Sequence, residues 1–129
     1  MFNWRRPKGL GVTDGRLAPC KRSPNCVSSQ ADPADREHYI APIAFRGSMA
    51  ELRRAVESMA RATVIRADGN YLYAEYRTRL MRYVDDVELY YDDKQGLVHV
   101  RSASRLGRRD FGVNRNRMEA LRALIRAPR

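Results

Sequence analysis

Residues 63–104, TVIRADGNYLYAEYRTRLMRYVDDVELYYDDKQGLVHVRSAS, decide the fold. Two turn signals cut this stretch, Asp68-Gly69-Asn70 and Asp93-Lys94-Gln95-Gly96. Glycine reaches the left-handed backbone of a tight reversal without steric cost, so each signal predicts a hairpin. The pieces between them, 63–67, 71–79, 83–92 and 97–104, are rich in β-branched and aromatic residues and read as strands. The reversal between Arg79 and Tyr83 has neither Gly nor Pro and is inferred from length alone.

Working outward, SMAELRRAVESMARA (48–62) predicts a helix. Ser48 and Glu51 form a capping box, and Leu52, Val56 and Met59 recur on one stripe. A second amphipathic helix runs from Asn114 as N-cap, with Met118, Leu121, Leu124 and Ile125 on its apolar side. HYIAPIAF (38–45) suits a short strand that Pro42 confines to an edge or bulge. Residues 1–37 are broken by proline and glycine without a period and read as a loop-rich arm packed on the 38–129 domain. The order β-α-β-β-β-β-α predicts an α+β, two-layer domain: an antiparallel sheet of four to five strands with two helices on one face.

Strand alternation carries the argument from fold to site. On 71–79 the positions Leu72, Ala74, Tyr76 and Thr78 suit the core; on 83–92 Val87, Leu89 and Tyr91 do, which turns Asp85 inward and Asp86 and Glu88 outward. On 97–104 Val98 and Val100 point inward, and Ser102 and Ser104 follow them. In a meander these positions meet, so Thr78, Asp85, Ser102 and Ser104 are expected at one end of the inner face. A buried carboxylate needs a partner, and Arg105 and the arginines after it are the nearest in sequence. Glu75, Arg77, Asp86, Glu88, His99 and Arg101 on the outer face read as cross-strand ion pairs of small individual worth.

The chain of 129 residues has net charge +10, and the charge sits at its ends. Residues 101–129 hold nine arginines against two acids, whereas 37–100 hold nine basic residues against ten acidic ones. Such a field favours an anionic small molecule, an acidic lipid surface, an acidic protein or nucleic acid, the last without a recognised motif. No apolar run approaches the ~20 residues that cross a bilayer. No secretory leader is legible, so a cytoplasmic location is expected.

Two cysteines, Cys20 and Cys26, invite three chemistries. A thiol nucleophile would need a base, and His38 and His99 are the only histidines. Zinc would draw on the same four residues, but C-x5-C is not a knuckle spacing. A disulfide is geometrically possible, yet in a reducing compartment two free thiols are expected. No metal or cofactor is expected. Asp85 and Asp86 face opposite ways and cannot act as an acid–base pair.

The blocks LAPCKRSPNCVSSQ (17–30), YVDDVE (83–88) and VRSASRLGRRDFGVNRNRMEALR (100–122) resemble the bacterial and plastid family catalogued as domain of unknown function 1499, over about Gly9 to Arg126. The resemblance implies a shared fold and no assigned chemistry; some members carry export leaders. It marks Pro24, Asn25, Cys26, Asp85, Asp86, Arg101, Ser102, Ser104, Arg105, Asn114 and Arg115 as lying in the shared blocks. The expected function is a non-enzymatic module binding an anionic ligand or partner at the polar end of the sheet. Asp85, Arg101, Ser102, Ser104, Arg105, Asn114 and Arg115 are the candidate ligand residues, and Cys20, Pro24, Asn25 and Cys26 form a structural loop beside them. The alternatives are a hydrolase or thiol-dependent enzyme and a basic membrane or nucleic-acid adaptor.

Overall fold

The computed structural model describes residues 5–79, 83–106 and 110–126. Its elements run β1 (Cys26–Ser28), β2 (Ile43–Ala44), α1 (Met49–Glu57), β3 (Ala62–Asp68), β4 (Tyr71–Arg77), β5 (Val84–Asp92), β6 (Leu97–Ser104) and α2 (Val113–Arg126). The α+β class and the antiparallel sheet are as expected, with six strands rather than four or five. The sheet order is β1-β6-β5-β4-β3, and β2 also pairs with β6. The added strand is β1, from the stretch read as loop, whose Cys26, Val27 and Ser28 pair with Ala103, Ser102 and Arg101.

The Asp68-Gly69-Asn70 hairpin forms as read, with Gly69 at φ +53°. At the free edge β3 carries a bulge between Val64 and Arg66. That irregularity spoils the edge as a template for further strand pairing. The reversal expected between Arg79 and Tyr83 spans residues 80–82, which lie outside the described residues. Its two flanks meet, because Thr78 N–H donates to Tyr83 O and Tyr83 N–H to Thr78 Oγ1. Thr78 is therefore occupied in closing the β4–β5 connection.

Ser48 and Glu51 cap α1 reciprocally, as the box requires. The start of α2 differs from expectation. Asn114 lies inside the helix and is fully buried, while the Asp110 carboxylate accepts from the Gly112 and Asn114 N–H groups. Asp110 thus does the capping, and the Asn114 side chain is released for other contacts.

Both helices pack on one side of the sheet. There Leu52 and Val56 of α1 and Met118, Leu121 and Ile125 of α2 meet Leu72, Val87, Leu89, Val98 and Val100. Leu124, assigned to the same stripe, is about half exposed. The opposite side is covered as well. Leu10, Val12 and Leu17 of the N-terminal arm pack against Tyr71, Tyr73 and Tyr90. The outer face is consequently a buried interface, which explains how Asp86 and Glu88 reach 1% and 0% exposure.

Candidate functional site

Asp85 and Asp86 are adjacent on β5 and point through opposite faces. On the helix side Asp85 Oδ2 accepts from Arg117 Nη2 at 2.7 Å. Arg117 Nη1 donates to Ser102 Oγ and Asn114 Oδ1, and its guanidinium lies 4.7 Å from the centre of the Tyr76 ring. Ser102 Oγ donates to Asn114 Oδ1 at 2.6 Å, and Asn114 Nδ2 donates to Ser104 Oγ, Asp110 Oδ2 and the Asn25 carbonyl. The expected cluster of Asp85, Ser102 and Ser104 is thus assembled, with Asn114 at its centre. Its cation is Arg117, not Arg105. Helical spacing explains this: Arg117 lies one turn beyond Asn114 and reaches back over the sheet. Burial pushes the Asp85 carboxyl above the usual range, with Arg117 opposing the shift.

Arg105 belongs to the other face. Its Nε and Nη2 clasp both oxygens of Asp86 at 2.8 Å, and Nη2 also reaches Glu75 at 2.7 Å. Tyr73 donates its hydroxyl to Asp86, and Tyr71 donates to Glu88 at 2.6 Å. From the arm, Arg6 Nε donates to Glu75 and Gly11 N–H to Glu88. Burial would raise the Glu75 carboxyl, but donors from Arg6, Arg105 and Tyr73 hold it below its ordinary value. Arg101, paired across the strands with Glu88, is pushed down by burial and donates from Nη2 to the Pro19 carbonyl. Among the described residues, the buried Glu88 Oε1 and Arg101 Nε on this face, and Asp85 Oδ1 on the other, find no hydrogen-bond partner.

Arg115 stands apart from both networks, donating to the carbonyls of Tyr39, Arg36 and Glu37 and so fixing the end of the arm to α2. The seven candidate ligand residues are therefore divided: Asp85, Ser102, Ser104 and Asn114 under the helices, Arg101 and Arg105 under the arm, Arg115 on the chain at 36–39. Residues 107–109 of the arginine-rich loop lie outside the described residues.

The loop at 20–26 is closed by a disulfide between Cys20 and Cys26. This corrects the expectation of two free thiols, and neither sulfur is available as a thiolate nucleophile or zinc ligand. The physical reason is local: Ser23-Pro24-Asn25 folds back, bringing the two Cα atoms to 5.7 Å, within bridging reach. Asn25 turns the loop onto the polar cluster. Its carbonyl accepts from Ser104 N–H and Asn114 Nδ2, and its Nδ2 donates to the Leu106 carbonyl. Pro24 is exposed at the tip.

Open space lies beside the inner cluster. A cleft of about 430 Å³ is lined by Tyr76, Met59 and Val113 and ringed by Arg61, Arg77, Arg79 and Arg117, with no acidic residue among the described residues of its lining. Arg61 Nε donates to the Arg77 carbonyl, linking two sides of the rim. A second cleft beside the disulfide sets Arg16, Lys21 and Arg22 against Asp32 and Asp35. The arginine rim escaped sequence reading because its members come from three separate stretches, none of them a motif.

Residues 16–125 match the family model described as Protein of unknown function (DUF1499). The chain belongs to this family. No curated protein and no solved structure matches it. In this DUF1499 chain the shared blocks quoted above supply the disulfide loop, both aspartates of β5, and the Asn114 hub. No helix among the described residues is long and apolar enough to cross a membrane.

Proposed function

We propose that this DUF1499 domain is a non-enzymatic module that binds an anionic ligand at the polar end of its sheet. The observation that supports this reading is the cleft whose rim, among the described residues, carries four arginines and no acid. Converging guanidinium groups recognise carboxylate or phosphate through paired N–H donors. In this reading Asp85, Ser102, Ser104 and Asn114 are not ligand groups. They are the buried frame that holds Arg117 at the cleft wall. Arg61, Arg77 and Arg79, exposed at the rim, are the groups left to meet an anion. The Cys20–Cys26 bond favours an oxidising compartment over the cytoplasm expected from the sequence alone.

The test is a titration with inorganic phosphate and with glycerol phosphate, followed by amide chemical shifts. Shifts are expected at Arg61, Arg77, Arg79 and Arg117, and Arg77→Ala with Arg79→Ala is expected to weaken binding about tenfold or more, at roughly 1 kcal/mol per water-facing charge pair. Unaltered binding in that double variant would place the anion elsewhere.

A further inference from the structure

We infer that the arginine-rimmed cleft docks onto an anionic lipid bilayer, with Phe111 as the side chain that enters it. This rests on the anion-binding reading above and names its source. The cleft is not purely cationic. It shares Met59 and Ala60 with a shallow apolar trough completed by Ala120, Ala123 and Leu124. Val113, Ala120 and Leu124 follow one another at seven and four residues along α2, so they lie on one face of it. Val113 and Leu124 are 40% and 48% exposed, and Phe111, two residues before Val113, is 88% exposed.

Phe111 also sits in left-handed backbone, at φ +53°, with Gly112 at +79°. A bulky residue there is disfavoured. The chain holds a large apolar ring in strained geometry, and in water burial gives it almost nothing in return. Arg61, on the rim, shares the left-handed conformation at φ +59°.

A free anion would use the arginines and leave the apolar trough and Phe111 idle. A bilayer surface presents phosphate and hydrocarbon side by side. It matches a face on which guanidinium groups border an apolar strip, and binding then adds buried apolar area to attraction for anionic headgroups. Charge complementarity selects the anionic surface.

The experiment is co-sedimentation with vesicles of phosphatidylcholine alone and of phosphatidylcholine mixed with phosphatidylglycerol. The protein is expected on the mixed vesicles only, with binding that weakens as salt rises. Phe111→Ser changes no charge and is expected to reduce binding about tenfold, in line with loss of one inserted apolar side chain. Arg53→Ala with Arg54→Ala, exposed on α1, removes the same charge as the rim double variant and is expected to change binding far less. The inference is overturned if Phe111→Ser combined with Leu124→Ser binds like the parent, which would mean adsorption by net charge. It is overturned equally if a soluble polyglutamate, and not the vesicles, binds in a Phe111-dependent way. Phosphate binding at the rim without vesicle binding would sink the bilayer and leave the anion site standing. Binding of neither would remove both.

Discussion

Asp85 and Asp86, consecutive on β5, each hold an arginine on a different side of the sheet: Arg117 at 2.7 Å beneath the helices and Arg105 at 2.8 Å beneath the arm. Arg105→Ala would leave Asp86 a buried carboxylate without its cation, and Glu75 with Arg6 alone, and is expected to cost about 3–5 kcal/mol, as is Asp85→Ala through the stranded Arg117. Replacing Asp85 by Leu together with Arg117 by Met should cost much less than either partner's loss alone. Urea denaturation of the singles and the double measures this, and single-variant losses below about 1 kcal/mol would show that the pairs do not hold the layers.

Asn114 accepts from Ser102 and Arg117 and donates to Asn25, Ser104 and Asp110. Asn114→Ala should destabilise by about 2–4 kcal/mol, because several buried groups lose their partner at once. The same variant should also perturb amide shifts at Asn25 and Ser102. A fold as stable as the parent's with lost anion binding would instead make Asn114 a ligand residue.

Reduction of the Cys20–Cys26 bond opens a short loop, and the chain-entropy model puts its worth at about 2 kcal/mol. Thermal melts with and without reductant should differ accordingly. Cys20→Ser with Cys26→Ser should melt like the reduced parent and ignore the reductant.

His38 presents Nδ1 to Asp35 at 2.7 Å and Nε2 to the Ser23 carbonyl at 2.9 Å. Both nitrogens face acceptors, which suits the imidazolium, and the Ser23 carbonyl, followed by Asp35 and Glu37, raises its pKa above 6.5. The folded state thus binds this proton more tightly than the unfolded chain. The site's stabilisation is complete below the unfolded value and fades as pH rises through the folded one. Melting temperature should fall across that window in the parent and less in His38→Gln.

Parity along β4, β5 and β6 made the inner polar cluster legible, because alternation states which face a residue takes. It says nothing about what covers that face. Glu75, Asp86 and Glu88 therefore read as solvent-facing, although the arm covers that face, with Arg6 on Glu75 and Gly11 on Glu88. Sequence nearness puts Arg105 first among the candidate partners of Asp85, whereas helical geometry brings the more distant Arg117 back to it. The β1 strand was hidden for a different reason: three residues carry no measurable alternation, and only Ala103, Ser102 and Arg101 opposite them give them a place.

That pairing has a consequence for vectorial synthesis. Cys26–Ser28 leaves the ribosome long before Arg101–Ala103, so β1 must wait for β6. The Cys20–Cys26 link joins near neighbours and needs no sheet to form. A nascent chain can close that small ring early and carry strand β1 in a restricted shape until β6 emerges. Strand β1 would then be made well before its partner and dock only once β6 is complete.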